Sequence, residues 1–367
     1  MEECLARLLR VFAFSRFFVL SVGVIAFGAC GRGGNPSGRS VRIAIGGQNQ
    51  LIYLPTILAR ELGFYRAEGL DVELQDMAGG SKALEALIGG SADVVSGFYD
   101  HTIQMAAEGR EFVAFVTMLR FPGLVLVTSP QNAATVTKID DLKGRIAGVT
   151  TAGSSSHMLL TYLLRRRGIG ADEVSVTAIG TAATAIAAIE HGKVAAGMMA
   201  DPAFTLVSRR NPSVRVLADL RHADGVKQAT GSTTYPASVL YSKGDWLRAH
   251  RDTAGKLARA ITRTLAWMQS HPPQEIADHT PASLRGEDHV LYVEALTNSM
   301  PMFSPDGKMT ADGPEAVRTL LAASMDKVRS ATIDLSKTYT NEFVPAPSEG
   351  GAPRPPSGGE APRETKQ

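Results

Sequence analysis

The sequence predicts an α/β protein made of two similar lobes, each a βαβαβ unit, with a ligand cleft between them. Two observations predict it. A strand–helix–strand–helix–strand pattern opens at Val41 and recurs from Arg145, and strands alternating with helices argue for parallel sheet joined by right-handed crossovers. The loops after the strands are rich in Gly and Ser in both copies, and such sheets bind ligands beyond the carboxyl ends of their strands.

The first copy begins with the β-branched run Val41-Arg42-Ile43-Ala44-Ile45 and the loop Gly46-Gly47-Gln48-Asn49. A helix is expected from Leu51 to Leu62, with Pro55 tolerated in its first turns. Gly63 suits the left-handed position that ends it. Leu70 to Leu74 alternates as a strand. Gly79-Gly80-Ser81 opens a short helix that stops at Gly89-Gly90, and Asp93-Val94-Val95-Ser96 is the next strand.

The second copy begins with Arg145-Ile146-Ala147-Gly148-Val149 and the loop Thr150 to Ser156. A helix from His157 to Arg166 ends at Gly168, and Val174 to Ile179 is a strand. Gly180-Thr181 leads into an Ala-rich helix, and Val194 to Met198 is a strand closed by Asp201-Pro202. The chain is expected to cross between lobes near Leu124 to Pro130 and to return near Tyr235 to Tyr241. Leu257, Ile261, Leu265 and Met268 recur at helical spacing, so Trp246 to Ser270 reads as one long amphipathic helix. Further helices are expected from Gly286 to Met300 and from Gly313 to Val328.

These boundaries divide the chain into 41–126 as the first part of lobe one, 127–236 as lobe two, and 237–344 as the return to lobe one plus C-terminal helices. Residues 1–29 read as a signal peptide: Arg7, Arg10 and Arg16 precede an uncharged stretch from Phe17 to Ala29, shorter than the about 20 apolar residues of a membrane span. Phe27-Gly28-Ala29-Cys30 resembles a bacterial lipobox, which makes Cys30 a lipidation site. The alternative is cleavage at Ala26, Gly28 or Ala29 without lipidation. Residues 30–40 read as a flexible, Gly-rich tether. Residues 345–367, rich in Pro, Gly, Ser and charge, are expected to be disordered.

Composition narrows the function. The 367 residues are 44% apolar and 20% charged, with a formal net charge of +2. No stripe of Lys and Arg with interleaved aromatics appears, which argues against nucleic acid as a partner. The two cysteines are Cys4 and Cys30, so the body of the chain holds no disulfide, thiolate zinc site or cysteine nucleophile.

Three stretches carry a family resemblance. One is Ala59-Arg60-Glu61-Leu62-Gly63-Phe64-Tyr65 continuing to Glu68-Gly69-Leu70-Asp71-Val72. The second runs from Gly79-Gly80-Ser81 to Gly90-Ser91-Ala92-Asp93, and the third from Asp141-Leu142-Lys143-Gly144-Arg145-Ile146 to the Ser loop. In order and interval they resemble the periplasmic binding proteins of nitrate, sulfonate, taurine and bicarbonate ABC transporters, a group shared with binding proteins for thiamine pyrimidine precursors. The resemblance spans roughly Val41 to Pro281. It implies a type II periplasmic-binding fold, a monomer that needs no cofactor or metal, and capture of a small solute by lobe closure for delivery to an ABC permease in the inner membrane.

The residues themselves offer candidate ligand contacts. Thr151, Gly153, Ser154, Ser155 and Ser156 precede a helix whose unpaired N–H groups favour anions; simple N-capping by one Ser is the alternative. Gly80 and Ser81 are the equivalent feature of lobe one, unless the glycines only make a turn. Gln48 and Asn49 supply amides or Asx-type turns, and Tyr53 lines either the cleft or the core. Phe98 and Tyr99 are placed to sandwich an organic moiety, and His101 to donate to an anion or serve as a structural histidine. Asp201, the matching position of lobe two, meets a ligand ammonium or caps the next helix. Tyr235, near the return crossing, closes over the ligand or packs in the core. The aromatic pair favours an organic solute, a sulfonate or carboxylate.

Enzymatic readings fare worse. The same fold group holds a cysteine-dependent sulfinate desulfinase and a yeast-type thiamine-pyrimidine synthase with a Cys-rich, iron-binding stretch, and a cysteine-free body departs from both. Gly153-Ser154-Ser155-Ser156-His157 lacks the second Gly of a nucleophile elbow, and no Gly-x-x-x-x-Gly-Lys-Ser/Thr stretch exists for an ATPase. The expectation is a binding protein and not an enzyme.

Overall fold

The structure is a computed structural model that describes residues 40–345. The signal peptide, Cys30, nearly all of the tether and the tail beyond 345 lie outside the described residues. The described strands are β1 (Val41–Ile45), β2 (Val72–Asp76), β3 (Val94–Phe98), β4 (Phe112–Thr117), β5 (Leu124–Thr128), β6 (Ile146–Val149), β7 (Ser175–Ala178), β8 (Ala196–Ala200), β9 (Val216–Asp219) and β10 (Ser238–Lys243). They form two five-stranded sheets, in the orders β2-β1-β3-β10-β4 and β7-β6-β8-β5-β9.

The parallel core of each repeat is present. β1 pairs in parallel with β2 and β3, and β6 with β7 and β8. The sheets as wholes are mixed, because the strands that complete each one lie outside the repeat. β10 runs antiparallel between β3 and β4, and β5 runs antiparallel between β8 and β9. Each of these strands enters from the other lobe, so it needs no crossover helix on its own sheet and is free to run either way.

The first crossing comes earlier than the sequence suggested, because all of β5 belongs to the second sheet. The turn before it needs Gly123, whose φ is +68°. A Cβ there would stand 2.7 Å from both Ile52 and Met302. β5 also shows why its run is apolar throughout: Leu124 and Leu126 join the main core, while Val125 and Val127 join a separate core with Ile179, Ile189, Met199 and Phe204. Alternate residues of a strand face opposite sides, and this strand is covered on both.

Helix ends differ from expectation in instructive ways. Gly63 is left-handed, as the helix stop predicted (φ 72°). The long helix expected from Trp246 is two, Gly244–Ala249 and Arg251–Ser270, broken at His250. The C-terminal helices do more than return to lobe one. His289–Ser299 packs on Ala203–Arg210 of the second lobe, and Gly313–Ser324 packs on both Ser155–Arg166 of the second lobe and Asp100–Ala107 of the first. Among the described residues no helix is long and apolar enough to cross a membrane.

Candidate functional site

The loops at the carboxyl ends of the parallel strands in both sheets meet. From lobe one come Gly46 to Gln50 after β1, Gly79 to Ser81 after β2, and Phe98 to His101 after β3. From lobe two come Thr150 to Ser156 after β6, Gly180 to Ala182 after β7, and Asp201 after β8. Ser81 Oγ lies 2.8 Å from Thr151 Oγ1. Ser155 Oγ donates to Asp100 Oδ1 at 2.8 Å, the Leu51 N–H donates to the Asp201 carbonyl, and His101 Nε2 lies 3.4 Å from the Gly153 carbonyl oxygen. The approach is close enough to require glycine: a Cβ on Gly79 would stand 2.6 Å from Thr151 Oγ1.

Two small cavities lie along this seam. One, of about 20 Å³, is lined by Gln50, Tyr53, Phe98 and Ser154 to Ser156; the other, of about 10 Å³, by Asn49, Thr181 and Asp201 among others. Gln50 and Thr150 line both. Either holds about one water molecule, so a larger solute enters only as the lobes part. Tyr53 and Phe98 meet edge to face at 6.4 Å and form the apolar wall.

The Ser loop is wound tightly on itself. Ser154 Oγ donates to the Thr151 carbonyl, and Ser156 Oγ donates to Thr150 Oγ1 while accepting from the Thr150 N–H. The Thr151 N–H reaches Ser154 Oγ, and the Gly153 N–H donates to Nδ1 of His157. Burial pushes the His157 imidazole below its ordinary pKa, which keeps Nδ1 free to accept. Ser154 stands at the cap position of the helix without making a side-chain cap.

Asp100 is the residue the sequence reading passed over, although it follows Phe98-Tyr99 directly. It is fully buried. Its carboxyl accepts from Ser155 of the other lobe and, at 3.3 Å, from Tyr235 beside the return crossing. Among the described residues no Lys or Arg forms an ion pair with it. Burial therefore holds its pKa above the usual carboxylate range, opposed by adjacent His101 and the two hydroxyls. The missed signal was available: it is the lobe-one counterpart of Asp201.

The structure gathers most of the expected residues at the seam. Asn49, Tyr53, Gly80, Ser81, Phe98, His101, Thr151, Gly153, Ser154, Ser155, Ser156 and Tyr235 all stand at it or one contact behind. His101 is buried between the Tyr241 hydroxyl and Gly153. Gln48 is peripheral, with its N–H given to Asp76. Tyr99 does not sandwich anything with Phe98: consecutive residues diverge at this helix start, and its hydroxyl pairs with Thr338 while its ring meets Tyr339. Asp201 is not open to a ligand ammonium. Arg221 holds it at 2.9 Å, with Thr205 and Ser299 as further donors.

Comparison with known proteins agrees with this architecture. A solved structure from Bordetella bronchiseptica RB50 is 36% identical, with a TM-score of 0.80 over 83% of this chain and 95% of that one. The riboflavin-binding protein RibY of Chloroflexus aurantiacus is 23% identical over 85% of this chain and 88% of its own. The alkanesulfonate-binding protein SsuA of Xanthomonas axonopodis, bound to MOPS, shares the fold at 18% identity, with a TM-score of 0.65 over 83% of this chain and all of that one (100%). Residues 52–275 match the family model described as NMT1/THI5 like, a span that takes in every seam loop from Tyr53 to Tyr235, and the chain belongs to that family.

Proposed function

We propose that this chain is the extracytoplasmic solute-binding component of an ABC importer, capturing a small organic solute between its lobes and presenting it to a permease. The observation that carries the reading is the seam itself. Polar loops at the strand ends of two separate sheets meet through side-chain hydrogen bonds, Ser81 with Thr151 and Asp100 with Ser155. Two crossings, before β5 and before β10, let the lobes part and close on a solute. The family and the binding-protein names of RibY and SsuA support it, and periplasmic residence, anchored through Cys30, follows from the signal-like start.

The charges at the seam bear on the expected sulfonate or carboxylate. Arg221 is committed to Asp201 and Asp219, and Lys82 pairs with Glu85 on the surface. An organic anion would have to be held by neutral donors alone, so the cleft favours an uncharged or cationic organic solute, the aminopyrimidine precursors of thiamine included.

Titration calorimetry of the purified chain with riboflavin, an aminopyrimidine alcohol, taurine, alkanesulfonates, aromatic carboxylates, nitrate and bicarbonate tests this. Saturable binding of one organic solute per chain is expected. At about 100 times its dissociation constant the solute adds about 2.7 kcal/mol of stability, visible as a raised Tm. Binding of the inorganic ions alone, or of nothing in the panel, would overturn it.

A further inference from the structure

The direction of the hydrogen bonds at the seam says which end of a solute it accepts. Resting on the reading of the chain as a solute-binding protein, we propose that the buried end of the solute presents N–H donors, as in an amine, amidine or ring N–H, to Asp100, Ser155 and Asn49, and that free oxyanions are rejected.

Each Ser hydroxyl has one proton to give, and in the 150–156 loop those protons are spent within the protein. Ser154 gives to the Thr151 carbonyl and Ser155 to Asp100, while the proton of Ser156 goes to Thr150. What Ser155 offers the cavity it lines is therefore lone pairs. Loop N–H groups are turned inward as well: Thr150 to Ser156, Thr151 to Ser154, and Gly153 to His157. An oxyanion would be left the first-turn N–H groups of Ser155 and Ser156 and the hydroxyl of Thr150.

Acceptors, by contrast, are in surplus. Asn49 Oδ1 is buried and has no hydrogen-bond partner, at the wall of the adjoining cavity. The Asp100 carboxyl has about four acceptor positions, of which Ser155, Tyr235 and the backbone N–H of His101 fill three. Asp100 stands directly behind Ser155, so parting the lobes breaks that bond and bares the carboxylate. An oxyanion would then meet oxygen lone pairs where it needs donors, whereas N–H donors would satisfy groups that are otherwise costly to bury.

The test measures binding to the full chain, by thermal shift and calorimetry, with benzamidine, 4-aminopyrimidine, propane-1-sulfonate and nitrate. At least one N–H probe is expected to bind and neither anion to do so. Asp100→Asn should weaken the bound probe at least about tenfold, the usual scale for a hydrogen bond to a charged group. Tyr99→Phe, away from the seam, should leave it unchanged. If Asp100→Asn fails to fold by circular dichroism, Ser155→Ala decides, with a loss of several-fold expected. Binding of the anions alone, or an N–H probe that neither variant weakens, overturns the polarity assignment and leaves solute capture standing. Failure of all four probes overturns the polarity assignment as well, and puts solute capture itself in doubt only if the wider solute panel is silent too.

Discussion

Asp100 and Asp201 follow the third strand of their respective repeats, each buried at the seam between the lobes. Their surroundings are opposite. Asp201 is neutralised: Arg221 reaches it and Asp219 together while stacking 4.8 Å over Phe204, and Thr205 and Ser299 complete its acceptors. Asp100 meets the hydroxyls of Ser155 and Tyr235 and the adjacent His101, with no Lys or Arg paired to it among the described residues. One copy of the unit uses its carboxylate to pin a corner of the lobe together with a cation, and the other buries its carboxyl behind Ser155 without one. A duplicated position predicts where a carboxylate sits and leaves its role to the partners that other parts of the chain bring.

That contrast can be broken most sharply at Arg221. Arg221→Met leaves Asp201 and Asp219 without their cation, and a half-removed buried pair costs about 3–5 kcal/mol; urea denaturation should show a loss of that size, and a loss below about 1 kcal/mol would mean that the hydroxyl donors suffice. Next is Gly79→Ala. Its Cβ would overlap Thr151, so the variant should lose about 1–3 kcal/mol or keep its lobes apart, seen as a larger radius of gyration in solution scattering. Tyr99→Phe removes the bond to Thr338 and should cost about 1 kcal/mol with solute affinity unchanged; an affinity loss would return Tyr99 to the cleft.

The smallest effect is a slope. Burial raises the Asp100 pKa in the folded chain. The stability it lends is therefore present below about pH 3.9, its unfolded value, and is lost as pH climbs through the folded value. Asp100→Asn cannot ionise, so the variant should gain on the parent as pH rises above about 4 in paired denaturation series. A difference that does not change with pH would mean that Asp100 titrates as it does in the unfolded chain.

Much of the fold was legible because glycine, β-branched runs and helical spacing are local signals. Gly63 ended its helix as expected, and β1, β3 and β6 stand where their β-branched runs lie. Strand direction was not legible for β5 and β10: their apolar runs say that they are covered on both faces and nothing about which way they point. At the site, the Ser loop, Phe98 and Tyr53 were found because small or aromatic residues at strand ends have few other uses there. The fates of Tyr99 and Asp201 depended on Thr338 and Arg221, far along the chain, and no local pattern announces such partners. Asp100 was legible as the counterpart of Asp201, and only the lack of an ion-pair partner among the described residues waited for the structure.

The place of β10 bears on how the chain acquires its shape during synthesis. The second sheet has all of its strands once residue 219 has been made, whereas the first must wait for residue 243. Until then β3 and β4, both apolar and buried in the finished protein, flank a one-strand gap and present bare edges that can pair with other chains. The nascent protein is at its most vulnerable when it is two thirds made, and a chaperone that held it then would be guarding the slot that β10 later fills.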